Sequence, residues 1–342
     1  MNSEKKLARI GLIGAGNVTE TYHLGPLKTL PNVKIEWVVD TSKVRAEYIA
    51  GLANATAYTM LAECSDVDIA LVAIPVGARR SVVEQVISRS WHAFCEKPFA
   101  LSLADHRAMV DAARNRGVRL GVGLVRRQYS STRAAQSILT SGVLGKIEMI
   151  LGGEGMVMHR TGRGGEWYQG SAEASGGTLM ETGSHLVDQA FTICGVSGFE
   201  IERCTQQHCE GLEFETSARG RVEVQGGAVV PFAFVISRLR DVYNGIVVRC
   251  TNGELRVGLS PDQKPEIFVR EGQRAASVEL QQPLVTNISS AVRAEWTEFM
   301  NECAQSSEFS DFDTGLLTTA FLEACYRESS RAPESEPAGV HS

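Results

Sequence analysis

Apolar runs and helix-like segments take turns along residues 1–125, and few folds accept that order. Leu7–Ile13 is rich in β-branched residues and runs straight into glycines. Val18–Leu30 reads as a helix that stops at Pro31. The stretch "KIEWVVD" (Lys34–Asp40) reads as the next strand, and Lys43–Ala53 as the next helix. "DIALVAI" (Asp68–Ile74) is a continuous apolar run that Pro75 ends. Ala78–Arg89 is helix-like and Trp91–Cys95 strand-like. Ser102 and Asp105 offer an N-cap pair for a helix to Arg116, with Gly117 just past its end, and Arg119–Val125 is another strand. Strands separated by helices imply βαβ units and a parallel sheet, whose strands are apolar throughout because both faces are covered.

The texture changes from Gly145. Lys146–Met158 is strand-like with several glycines, and residues 159–178 are Gly-rich and irregular. Leu179–Cys194 reads as a helix. Short strand-like pieces follow, punctuated by "QGG" at 225–227 and "NG" at 252–253, which predicts an open, mostly antiparallel sheet. Ser289–Cys303 and Thr314–Ser329 read as closing helices. The expected fold is α/β plus α+β. A dinucleotide-type parallel-sheet domain spans 1–125, and a second domain spans 126–330 with closing helices free to pack back on the first. A polar, Pro-rich tail at 331–342 is expected to be disordered.

Composition narrows the function. Net charge is −6 and no basic run stands out, which argues against a nucleic-acid partner. No apolar run approaches the roughly 18 residues of a membrane span, so no membrane partner is expected. The opening "MNSEKKLARIGLIGAG" has no small-residue cleavage site and reads as a first strand, so the expected location is cytoplasmic. The eight cysteines show no dense framework and are expected to be reduced, mostly buried thiols. "CTQQHC" (Cys204–Cys209) lacks a second pair to complete a zinc set.

Two stretches carry chemistry. In the first, Gly14-Ala15-Gly16-Asn17-Val18-Thr19 follows a strand and opens a helix. Gly14 permits a tight turn, Gly16 lets a pyrophosphate approach the backbone, and the helix amides face the anion. Thr19 replaces the usual third glycine, and an ordinary glycine turn is the competing reading. Asp40 ends the next strand, where a carboxylate accepts hydrogen bonds from ribose hydroxyls and repels a 2′-phosphate. NAD is therefore favoured over NADP, although Lys43 and Arg45 keep NADP open. In the second, "SGGTLMETGSHLVD" places Glu181 and His185 at i, i+4 on one helix face, with Asp188 one turn on. Gly183 between them implies close approach by a backbone or a ligand. A capped helix with a surface acid–base pair is the alternative. One helix offers too little geometry for a metal, and none is expected. A third puzzle is "CEKPFA" at 95–100, where an apolar strand ends in Glu96, Lys97 and Pro98. A strand end is costly for an unpaired charge, yet it is where open α/β sheets bind ligands.

Across nearly its whole length the chain resembles the Gfo/Idh/MocA oxidoreductases. "IGLIGAGNVTETYH", including His23, looks like their cofactor loop, "VVD" like their ribose-binding strand end, and "DVDIALVAIP" like their fourth strand. "CEKP" looks like their signature, "SGGTLMETGSHLVD" like their GGGxLxDxGxHxxD segment, and "EWTEFMNE" and "FDTGLLTTAFLEACYRES" like their C-terminal helices. The resemblance implies a Rossmann domain joined to an open sheet domain that forms a homodimer or homotetramer through the sheet. It implies an NAD site built from Gly14, Gly16, Asn17, Val18, Asp40, Pro75, Glu96 and Lys97. Pro98 would fix a tight turn, with a cis bond open to it.

By the same resemblance, a hydride passes between nicotinamide and a secondary alcohol or ketone of a sugar, inositol or related polyol. Lys97 polarises the oxygen, His185 is the acid/base, and Glu181 orients the imidazole or binds a hydroxyl. Arg127, Trp167, Tyr168 and Asp188 are expected on the substrate side, with Arg126 beside them; for Arg127 a structural ion pair competes. His159 and Arg160 lie near this loop without an assigned role. Two departures bear on substrate and direction: Glu181 stands where relatives carry aspartate, and Arg79 where many carry histidine. A redox-assisted glycosidase that regenerates its NAD, and a non-catalytic NAD-binding regulator, are the competing functions.

Overall fold

The structure, a computed structural model, describes residues 7–157, 176–209, 211–269, 275–277, 285–306, 308–311 and 313–330. Six parallel strands form the first sheet: β1 (Ala8–Ile13), β2 (Val33–Val39), β3 (Thr56–Tyr58), β4 (Ile69–Val72), β5 (His92–Cys95) and β6 (Leu120–Val122). Their order is β3-β2-β1-β4-β5-β6. The chain reverses direction across the sheet between β1 and β4, and this switch opens a crevice at the carboxyl ends of the strands. The residues following β1, β4 and β5, namely Gly14, Pro75 and Lys97, all stand on that edge.

Local chemistry sets the helices between the strands. A wide π-type turn (Thr19–His23) leads into α1 (Leu24–Thr29). The Ser42 hydroxyl accepts the Arg45 N–H to start α2 (Lys43–Ala53), and Asn54 ends it in the left-handed region. α3 (Val76–Ser88) begins at Pro75. Ser102 accepts the Asp105 N–H to start α4 (Leu103–Arg116), and Gly117 closes it. These elements match the expected ones to within a few residues. The edge strand β3 was not foreseen; its three residues are too few for a period to show. Nor was the helix α5 (Ser130–Thr140), whose start at Tyr129 carries no capping side chain to mark it.

The second sheet has eight strands: β7 (Ile147–Gly155), β8 (Gly198–Cys209), β9 (Leu212–Glu223), β10 (Val229–Ser237), β11 (Gly245–Cys250), β12 (Gly253–Val257), β13 (Glu266–Val269) and β14 (Ala275–Ser277). The order is β14-β13-β12-β11-β7-β10-β9-β8. Among the described strands only the central β7–β10 pair is parallel, because it joins two meanders. The turn residues of the β11–β12 hairpin are Thr251 and Asn252, so Gly253 already belongs to the strand. A second π-type turn (Leu179–Gly183) precedes α6 (Ser184–Cys194). Helix α6 and the helix α8 (Leu316–Ser329) cover one face, packing Leu186, Phe191 and Phe321 on Phe234 and Ile236. A Cβ on Gly183 would stand 2.8 Å from Leu179 and 3.3 Å from Ile236. Close packing of the turn on β10 therefore explains this glycine, not a backbone or a ligand.

The helix α7 (Ile288–Gln305) joins the two halves. It lays Val292, Trp296 and Phe299 on the core of the first sheet beside Ile10, Leu12 and Phe94. The Phe94 and Trp296 rings are 4.6 Å apart. His106 of α4 is fully buried and bridges Thr319 of α8 (2.8 Å) and Thr314 (3.1 Å). The eight cysteines are free thiols, six of them buried.

Candidate active site

The cofactor crevice starts at Gly14. Its φ of +98° is left-handed, and its N–H donates to the Val39 carbonyl at 2.9 Å. A Cβ there would lie 2.3 Å from the Ala73 carbonyl oxygen, so the strand spacing admits only glycine. Above Gly16 nothing stands within 4 Å of where a Cβ would be, which leaves the backbone open to a ligand. Gly16 and Asn17 are exposed at the crevice and Val18 is half-buried. Thr19 is fully buried and its hydroxyl donates to the Gly14 carbonyl at 2.6 Å. The missing third glycine is thus replaced by a tether that holds the loop.

Asp40 stands beside this loop. Its carboxylate accepts the Ala15 N–H at 2.7 Å and the Ser42 N–H at 2.8 Å. Arg45 donates to the Ala15 carbonyl (2.9 Å) and pairs with Glu20 (2.8 Å). Lys43 is 75% exposed and lies 3.7 Å from Glu47. A positive-φ turn, an open glycine and a carboxylate at the end of β2 fit a dinucleotide with free ribose hydroxyls.

At the other end of the crevice, the Lys97–Pro98 bond is cis. Arg79, 3% exposed on α3, wraps this turn. It donates to the carbonyls of Ile74 (2.7 Å) and Phe99 (3.3 Å) and to those of Glu96 and Pro98. Its role is therefore to brace the backbone around Lys97. Glu96 accepts the Lys97 N–H at 3.0 Å, and its other oxygen lies 2.7 Å from His23 Nε2. Burial alone would raise the Glu96 pKa, but the His23 hydrogen bond and the Lys97 and Arg79 charges hold it below the usual carboxylate value.

Lys97 Nζ donates to the main-chain carbonyl of Glu181 at 2.9 Å. Burial lowers the Lys97 pKa while the Glu96 and Glu181 carboxylates counter it. His185 follows one turn later. Burial, then the Lys97 and Arg126 cations, hold its pKa well below the ordinary value, so the imidazole is neutral at physiological pH. Glu181 reaches Lys97 through its main chain, and its Oε2 is buried without a hydrogen-bond partner. Both π-type turns among the described residues thus carry residues of this site, a frequent use of such turns.

In the segment after β6, Arg126 makes two bonds to Glu154 (2.8 and 2.7 Å). Arg127 and Asp188 meet each other at 2.8 and 2.5 Å, and the Thr318 hydroxyl donates to Asp188 at 3.1 Å. Asp188 is only 2% exposed, so this pair ties the segment after β6 to α6. Trp167 and Tyr168, like His159 and Arg160, lie outside the described residues. Glu154 and Trp296 were not foreseen as site residues. A glutamate in the glycine-rich "LGGEG" of β7 was the only signal for the first; the second had none.

Comparison with known proteins gives this geometry its relatives. Residues 8–124 match the oxidoreductase family with NAD-binding Rossmann fold, and residues 132–256 match the GFO/IDH/MocA C-terminal domain. The 1,5-anhydro-D-fructose reductase of Ensifer adhaerens is 26% identical over 263 residues, 75% of this chain and 78% of its own length. An uncharacterized oxidoreductase of Schizosaccharomyces pombe is 27% identical over 193 residues; the match spans 55% of this chain and about half (52%) of that relative. Among solved structures, an Agrobacterium radiobacter oxidoreductase in complex with NAD+, L-tartaric acid and magnesium superposes with a TM-score of 0.78 at 20% identity, covering 95% of this chain and 97% of that one. The aldose-aldose oxidoreductase of Caulobacter crescentus gives the same TM-score of 0.78 at 20% identity, covering 95% of this chain and 98% of that one. With both halves matched, the chain belongs to the Gfo/Idh/MocA oxidoreductase family, and its first domain is the NAD-binding Rossmann domain.

Proposed function

We propose that the protein is an NAD-dependent dehydrogenase or reductase of a secondary alcohol or ketone on a sugar, inositol or related polyol. The observation that carries this reading is a partly buried Lys97, held against the turn of Glu181, whose charge helps keep His185 neutral at the carboxyl edge of the Rossmann sheet. NAD, when bound, supplies the carbon that takes up a hydride. Lys97 donates to the substrate oxygen and stabilises its developing negative charge. His185 removes the hydroxyl proton as the carbonyl forms, and returns it when the ketone is reduced. Gly14 and Gly16 seat the pyrophosphate, with Asn17 and Val18 lining the loop. Asp40 accepts from the ribose, and Pro75 and Glu96 frame the nicotinamide side. The engagement of Arg45 by Glu20 supports NAD over NADP, because that guanidinium already has an anionic partner.

The relatives support the substrate class: besides the anhydrofructose reductase, glucose-6-phosphate 3-dehydrogenase of Bacillus subtilis is 26% identical over 189 residues. The test is reduced-nicotinamide absorbance with NAD or NADP and a panel of aldoses, inositols, sugar acids and amino sugars. NAD bound without turnover of any of them would overturn the reading. Because the His185 pKa is held below 6.5, its base form persists as pH falls. Alcohol oxidation is expected to stay flat from pH 8 down to about 6.5 and to decline only below that. A decline centred at or above 6.5 that vanishes in His185→Gln would show an imidazole that is not depressed.

The outer face of the second sheet carries a partly exposed strip of Leu151, Ala233, Val235 and Val247. This supports the homodimer or homotetramer. Light scattering at micromolar concentration checks it, and a monomer would overturn it.

A further inference from the structure

Behind Lys97 runs a buried chain of hydrogen bonds that starts on the distant helix α7. The Trp296 indole N–H donates to His23 Nδ1 at 3.0 Å, across 273 residues of sequence. An indole can only donate, so Nδ1 must hold a lone pair and the ring proton must sit on Nε2. That proton points at Glu96 Oε1, 2.7 Å away, while Glu96 Oε2 accepts the Lys97 N–H. The imidazole is fully buried and meets the Phe94 and Trp296 rings edge-on, each at 6.0 Å. A neutral ring and an ionised carboxylate together carry one negative charge next to Lys97.

We propose that Trp296 is a positioning residue for Lys97: by setting the tautomer of His23 it holds Glu96 as an anion, and Glu96 holds both the turn and the charge of Lys97. This rests on the role assigned to Lys97 above. The charged and titratable groups facing Lys97 are Glu96, Glu181, Arg126, Glu154 and His185; those facing Glu96 are His23, Lys97, Arg79 and Glu295. Without the indole N–H, His23 has two outcomes. Its proton moves to Nδ1, which turns a lone pair toward Glu96 and makes that carboxylate harder to ionise. Alternatively it takes a second proton, which neutralises the pair. Either outcome weakens the negative charge beside Lys97, so the lysine gives up its proton at lower pH.

The experiment compares wild type, Trp296→Phe and Phe299→Leu in the full chain. Phenylalanine keeps a ring against Phe94 but has no donor. Phe299→Leu disturbs the same aromatic cluster and leaves the indole bond intact. In 15N-histidine-labelled wild type, His23 is expected to show a protonated Nε2 and an unprotonated Nδ1. In 13C-lysine-labelled protein, with Lys97→Met used for assignment, the Lys97 midpoint is expected to fall by about one pH unit in Trp296→Phe and to stay in place in Phe299→Leu. The alkaline limb of kcat/KM should move by the same amount. A protonated Nδ1 in the wild type overturns the proposal, as does a Lys97 midpoint that is unmoved or that moves equally in both variants. The NMR readouts need no substrate. If they shift as expected but no panel substrate turns over, the assigned function fails and the Trp296–Lys97 coupling stands.

Discussion

Replacing Lys97 with methionine is expected to lower kcat/KM about a thousandfold while NAD binding changes by less than about threefold. Methionine matches most of the lysine stem, so the change removes one charge and its donors with little loss of packing. In the proposed reaction the ammonium meets developing negative charge on the substrate oxygen, and deleting such a donor costs on the order of 10²–10³ in rate. It also stabilises the turn carbonyl of Glu181, which it meets at 2.9 Å, so some further loss from misplacement of the helix bearing His185 is expected. Arginine should not rescue the variant, because its planar fork cannot take the place of a compact ammonium. Steady-state kinetics on the best panel substrate, with NAD affinity from calorimetry, separates the two quantities. A fall in kcat/KM of less than tenfold would remove Lys97 from the proposed role. A parallel loss of NAD binding would make it a cofactor ligand instead.

The second large effect is on stability. Arg127→Met is expected to destabilise the fold by about 3–5 kcal/mol, because it takes the guanidinium from a carboxylate that stays buried. Asp188 is 2% exposed and accepts from Nε and Nη2 of Arg127, at 2.8 and 2.5 Å. Only the Thr318 hydroxyl, at 3.1 Å, would still donate to it among the contacts described above. Lysine should recover little, since one ammonium cannot reproduce two parallel N–H bonds. Urea unfolding followed by circular dichroism reads the change. Unaltered stability with a raised KM would instead return Arg127 to the substrate side, where the sequence pattern first suggested it.

Arg127, for which a substrate contact and a structural ion pair were both open, shows where reading the chain residue by residue stops deciding. The parallel strands, the caps at Ser42 and Ser102, the turn at Gly14 and the strand end at Glu96–Pro98 were legible because each depends on neighbours a few residues away. Hydrophobic period, a capping hydroxyl and a positive φ are local properties, and they carry to the tertiary structure unchanged. Helix α5 escaped notice for a related reason: its start has no capping side chain, so no local signal marks it. Partnerships between polar groups are different. Whether Arg127 meets a substrate or Asp188, whether Glu181 acts through its carboxylate or its carbonyl, and whether Trp296 is only core or also the donor to His23 depends on which surfaces the fold brings together. Burial then decides the matter, because a desolvated charge or donor must take whatever partner lies within reach. The sequence by itself determined the Rossmann sheet, the tight turn at Gly14 and the strand end that carries Lys97. Only the tertiary structure decided how Lys97 is held and which charges surround it, since the residues responsible lie on α3, on the π-type turn before α6 and on α7, far apart in sequence, and meet only in the folded chain.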